Sequence, residues 1–121
     1  MGSRMGQDNL NDLTLRLRQF AADREWEPFH SPKNLAMATS GEVGELVAEF
    51  QWLTEEGSRK LDPERLERVK LESADVLICL VMLADRLGFD LIEAANRKIQ
   101  SNAERYPVEK ARGNAKKYTE F

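Results

Sequence analysis

Four acidic side chains raise the chemical question in this sequence. Glu42 and Glu45 in "GEVGELVAEF" form one pair, and Glu72 and Asp75 in "LESADV" form another, each spaced i, i+3. At about 100° per residue, Leu35 and Leu53 project within roughly 20° of Glu42, and Leu46 within roughly 40°. Glu72 stands in the same relation to Leu83 and Val76. Both acid pairs therefore border apolar stripes, where an uncompensated carboxylate is costly. If the two stripes face each other, four carboxylates converge, and either some hold protons or a cation sits among them. The ligands on offer are hard oxygens, which suits Mg²⁺, with Mn²⁺ as a substitute, over a thiophilic metal. Glu49 shares the face of Glu45 at i+4 and is a further candidate.

Other chemistries are excluded by what the chain lacks. It has one cysteine, Cys79, and one histidine, His30, so no all-protein Cys/His zinc site can form. A di-iron bundle wants Glu-x-x-His on two helices, and the single histidine sits in a loop without a glutamate three residues before it. No EF-hand loop and no phosphate-cradling GxxxxGK[ST] is present.

Four helical stretches must position the acids. The first spans residues 8–23, with Leu10, Leu13, Leu17 and Phe20 at helical spacing. The aromatic-rich "REWEPFHSP" interrupts it, and Ser31-Pro32 starts the second helix, which is expected to end before Gly57. Asp62-Pro63 opens the third, which Gly88 stops. Asp90 and Glu93 form an acidic capping box for the fourth, which ends at Tyr106-Pro107. The tail "VEKARGNAKKYTEF" is polar, either flexible or pinned onto a partner. No strand-period segment occurs, so the expected fold is all-α and four-helix-bundle-like.

The 121 residues suit one domain, taken as residues 6–121, with "MGSRM" at 1–5 read as a cloning remnant. With 41% hydrophobic and 32% charged residues the chain has an ordinary globular composition. A net charge of −3 speaks against a general nucleic-acid binder. No apolar run reaches the ~20 residues of a membrane helix. A lone cysteine fits a reducing, cytoplasmic compartment.

The ordered set ExxE, 26 residues, ExxD resembles the metal motif of the all-α NTP pyrophosphatases, the MazG-like superfamily. "WEPFH", "GEVGEL", "FQW", "SADVLI", "RYP" and "KKYTE" resemble its dCTP pyrophosphatase branch over roughly residues 10–120. The resemblance implies Mg²⁺-dependent cleavage of a nucleoside triphosphate between its α and β phosphates, with dCTP the best single substrate. It also implies a homo-oligomer, a tetramer or a dimer. Glu42, Glu45, Glu72 and Asp75 would hold the metal, and Glu45, then Glu42 or Glu49, would handle the attacking water.

By the same resemblance, Lys98, Asn102, Arg105 and Tyr106 of "KIQSNAERYP" would meet phosphate or sugar, with Lys117 and Tyr118 as a C-terminal clamp. Trp26 and Trp52 would form the base site, with Phe29 nearby and His30 donating to a phosphate or to the base. The chain departs from the branch at Cys79, Leu17 and Glu49, where tyrosine, histidine and an apolar residue respectively occur. Two other readings compete: a house-cleaning pyrophosphatase of broad or modified-nucleotide range, and a non-catalytic helical oligomerisation module.

Overall fold

The computed structural model describes residues 9–121, and the remnant reading of residues 1–5 lies outside them. Every regular element among the described residues is helical, as expected for an all-α chain. The backbone forms two compact units, one ending at Gly88 and the other spanning Phe89–Phe121.

The first unit contains α1 (Leu10–Asp23), a 3₁₀ turn (Glu27–Phe29), α2 (Pro32–Ala48), α3 (Glu55–Arg59) and α4 (Pro63–Leu87). Its helix starts follow local chemistry. The side chains of Asn9, Ser31 and Asp62 accept the backbone N–H groups of Asp12, Asn34 and Arg65, each satisfying a donor that the helix cannot. Gly88 closes α4 in the left-handed region, φ 74°, where a side chain would strain the backbone.

The second helix ends before Gly57 as expected, at Ala48, but a separate short helix that was not expected follows. Thr54 is extended, and its hydroxyl accepts the Gly57 N–H at 2.9 Å, so it starts a new helix instead of continuing the old one. Gly57 is thus a helix-entry residue; a Cβ there would lie 3.1 Å from the Thr54 hydroxyl.

Helices α2 and α4 form the main pairing of this unit, and α1 packs on α4. The contacts make α2 and α4 antiparallel. Leu35 and Val81 line one cavity, Thr39 meets Cys79, Glu42 meets Glu72 and Asp75, and Glu49 meets Arg65 and Arg68. Among the described residues, the buried ones are Ala21, Leu35, Cys79, Val81 and Ala84. All of those on α2 and α4 lie between the acids and the Leu35 end of the pair.

The second unit contains α5 (Leu91–Arg105), α6 (Val108–Ala111) and a 3₁₀ turn (Tyr118–Glu120). Asp90 accepts the Glu93 N–H at 2.9 Å at the start of α5. The tail folds onto its own unit: Tyr106 meets Tyr118 and Phe121 edge-to-face, with ring centroids 6.1 and 5.8 Å apart.

Candidate active site

The antiparallel register brings carboxylates from two helices to one place. Glu42 of α2 and Glu72 and Asp75 of α4 each offer an oxygen, and these oxygens all lie within 4.8 Å of one another. Glu42 and Glu72 are half-buried, and Asp75 is exposed. Burial, then the charges of Asp75, Glu45, Glu42 and Glu49, hold the Glu72 carboxyl above the ordinary carboxylate range. A set of hard oxygens under mutual repulsion fits a small divalent cation, which would relieve both the crowding and the charge.

Glu45 lies outside that trio. It is exposed, one turn beyond Glu42, yet close enough for its charge to act on Glu72. Glu49 has a different setting. Its carboxylate accepts from Arg68 Nε at 3.1 and 3.2 Å, and Arg65 Nη1 lies 3.4 Å from Oε1. Arg65 also donates to the Glu49 carbonyl, which the end of α2 leaves without a helical partner. Of the five acids singled out in the sequence, three share a cluster, one flanks it and one is ion-paired.

A cavity of about 470 Å³ opens in the same unit, towards the Leu35 end. Leu17 and Arg18 of α1, His30, Leu35, and Val81 and Asp85 of α4 are among its walls. Seven residues of α2 separate Glu42 from Leu35, and six of α4 separate Asp75 from Val81, about 10 Å in each case. Between the acids and the cavity sits Cys79, whose thiol is held above its ordinary value by burial and then by the Glu42 charge, with Thr39 opposing.

The loop beside the cavity is fastened by arginine. Arg86 donates from Nε to the His30 carbonyl at 2.9 Å and from Nη2 to the Glu27 carbonyl, so α4 holds both ends of the 3₁₀ turn. Trp26 stands edge-to-face against His30, centroids 6.2 Å apart, and against Phe20 at 5.7 Å. Trp52, after the end of α2, is 88% exposed. Arg18 pairs with Asp85 through two hydrogen bonds, which hold the Asp85 carboxyl below its usual value.

In the second unit, Lys98, Asn102 and Arg105 are exposed on one side of α5. The Arg105 guanidinium lies over the Tyr118 ring, 4.9 Å from its centroid, and Tyr106 touches the same ring. Lys117 is exposed, and its backbone N–H donates to the Glu120 carboxylate at 3.3 Å.

Sequence reasoning missed Arg65, Arg68 and Arg86. Arg65 and Arg68 repeat the i, i+3 spacing of the acids one to two turns upstream, a signal that was there to find. Arg86 acts on backbone carbonyls, which carry no sequence signature.

The chain matches the MazG-like family over residues 37–121. It belongs to the MazG-like family. This MazG-like chain is 45% identical over 117 residues to dCTP pyrophosphatase 1 of Mus musculus, covering 95% of the chain and 69% of that protein. Against dCTP pyrophosphatase 1 of Homo sapiens the identity is 44% over the same shares. Among solved structures, a pyrophosphatase from Archaeoglobus fulgidus superposes with a TM-score of 0.76 at 40% identity, covering 80% of this chain and 91% of that one. The MazG-like fold is therefore supported by sequence and by backbone together. Among the described residues, no helix is long and apolar enough to cross a membrane.

Proposed function

We propose that this MazG-like chain is a nucleoside triphosphate pyrophosphohydrolase that takes dCTP and water to dCMP and pyrophosphate, and so controls the nucleotide pool. The observation that carries this reading is the meeting of Glu42, Glu72 and Asp75 from two helices, in a chain whose relatives are named dCTP pyrophosphatase 1. We assign Mg²⁺ to these three, with Glu45 as an additional ligand, and Mn²⁺ as a working substitute. When bound, the ion supplies charge neutralisation and polarisation of a phosphoryl oxygen.

The protein groups do the rest. Glu42, Glu72 and Asp75 present their oxygens on two packed helices, which keeps the ligand geometry preorganised. Glu45, exposed beside the cluster and without an arginine partner among the described residues, orients the attacking water and accepts its proton. Glu42 is the second candidate for that step. Glu49 is less suited to it, because two guanidinium groups already engage its carboxylate.

The cavity near Leu35 starts about one extended triphosphate from the acids, and we assign it to the base and sugar. His30 in its wall and Trp26 beside it offer a hydrogen-bonding ring and a stacking edge. Lys98, Asn102, Arg105, Tyr106, Lys117 and Tyr118 carry the cationic and hydrogen-bonding chemistry that phosphate takes, and we assign them to that role. A broader base range is a second reading, favoured by Leu17, an apolar residue in the cavity wall.

We further assign a homo-oligomer, a tetramer in preference to a dimer. Trp52, Phe29, Met37 and Ile99 are all more than half exposed in the single chain, and association would cover them. A single cysteine, which allows no intrachain disulfide, fits a cytoplasmic setting.

A panel of the eight common NTPs and dNTPs with Mg²⁺, products resolved by chromatography, tests the reading. dCMP and pyrophosphate from dCTP, with little from the others, is the expected result. The same product types from many nucleotides would move the conclusion to the broad-range enzyme. Diphosphate and phosphate would mean that the wrong bond is cut and would overturn the mechanism.

A further inference from the structure

We infer that Glu49 is a positioning residue: its bridge to Arg65 and Arg68 clamps the end of the α2–α4 pair, and so sets the spacing of the acids. The inference rests on the cation-site reading of Glu42, Glu72 and Asp75, and goes beyond it to residues outside the cluster.

The acids on α2 and α4 repel one another across the helix pair, so something must hold the helices together on each side of them. On the Leu35 side that role falls to buried apolar contact, with Leu35, Cys79, Val81 and Ala84 all buried. On the other side no residue of either helix is buried; Leu46 and Val69, and Phe50 just past α2, are only half so. An ionic bridge joins the helices there. Arg68 grips both oxygens of Glu49, and Arg65 reaches its carboxylate and its carbonyl.

The Glu49 side chain is 17% exposed, shielded enough for these charge-assisted bonds to persist against solvent. Glu49 also caps α2, so the clamp fixes the last turn of the helix that presents Glu45 and Glu42. A guanidinium at a helix C-terminus is favoured by the helix dipole as well. Loss of the clamp frees this end to splay under the repulsion of the acids, while the apolar end stays packed.

The test is Mn²⁺ binding without nucleotide, followed by electron paramagnetic resonance, on wild type, Glu49→Gln, Arg68→Met and the double Arg65→Lys/Arg68→Lys variant. Glu49→Gln is expected to weaken Mn²⁺ binding about tenfold, as removal of a supporting partner does. The double lysine variant, which keeps Glu49 and both positive charges, should show a smaller loss. With dCTP, the Mg²⁺ concentration for half-maximal rate should rise in step, while turnover at saturating Mg²⁺ falls far less.

Arg68→Met leaves Arg65 on Glu49 and should give a smaller shift, which keeps the test informative if Glu49→Gln does not fold. Unchanged Mn²⁺ affinity in both variants would overturn the clamp while leaving the cation site standing. Unchanged affinity with turnover lost at saturating Mg²⁺ would overturn it too, and would make Glu49 the base. A wild-type protein that binds no Mn²⁺ would remove the cation reading, and this inference with it.

Discussion

At one end of the α2–α4 pair, Leu35 is 3% exposed and shares a cavity wall with Val81; at the other, Glu49 lies between two arginines. The first contact is non-directional and insensitive to salt, and its strength follows the apolar area removed from water. The second depends on geometry and charge, with Arg68 about half exposed. Between them stand acids that repel one another, and Glu72, half-buried in their midst, is held above its ordinary value. Within one helix pair, two kinds of contact thus flank the acids: buried apolar packing on one side and, on the other, the charged bridge assigned above to their spacing.

Perturbing the cluster itself should have the largest consequence. Glu42→Gln removes one of its three carboxylates and should lower dCTP turnover by more than about 100-fold, beyond the loss typical of a supporting residue. A melt by circular dichroism should show the fold retained. At the apolar end, Leu35→Ala should cost about 3 kcal/mol of unfolding free energy, measured in urea. If that variant also weakened Mn²⁺ binding as strongly as Glu49→Gln, the proposed division between the two ends would fail.

The metal-free protein should reveal the repulsion through pH. Because the Glu72 carboxyl is raised in the folded state, the native protein holds a proton there after the unfolded chain has released it. Stability is therefore expected to fall as pH rises from the ordinary glutamate range towards the raised value. Glu72→Gln should flatten that decline in thermal melts, and added Mg²⁺ should reverse it at neutral pH.

Asp85 has the opposite sign. Its carboxyl is lowered, first by the hydrogen bond from Arg18. Its contribution is thus present above the ordinary aspartate value and lost as pH falls through the depressed one. Asp85→Asn should remove this contribution, and the effect should be the smallest of the series, since Arg18 is mostly exposed.

Much of the fold was legible because its signals are local. Ser31-Pro32, Asp62-Pro63, Asp90 and Gly88 bound their helices by chemistry within three or four residues, although the capping box read at Asp90 is only half made, because the Glu93 carboxylate pairs with Arg97 instead. The break at Ala48 was not legible. Residues 49–53 lack a strong stop signal, and a threonine cap competes with helix continuation through a balance that packing decides. The acid trio was legible as a motif, because i, i+3 spacing places side chains on one helical face and an ExxE–ExxD pair restricts what two such faces can bind.

The sequence by itself determined the helical class, the helix starts at Ser31, Asp62 and Asp90, the family resemblance and the i, i+3 spacing of the two acid pairs, since each follows from spacing along the chain. Only the tertiary structure decided that α2 and α4 run antiparallel with Glu42 opposite Glu72 and Asp75, leaving Glu45 at the flank. It also decided that Glu49, identical in type to its neighbours, belongs to Arg65 and Arg68. The physical reason is that a carboxylate's role depends on which charges lie within a few ångströms of it. Those charges sit some twenty residues away in the chain, at distances that helix register sets and local sequence does not encode.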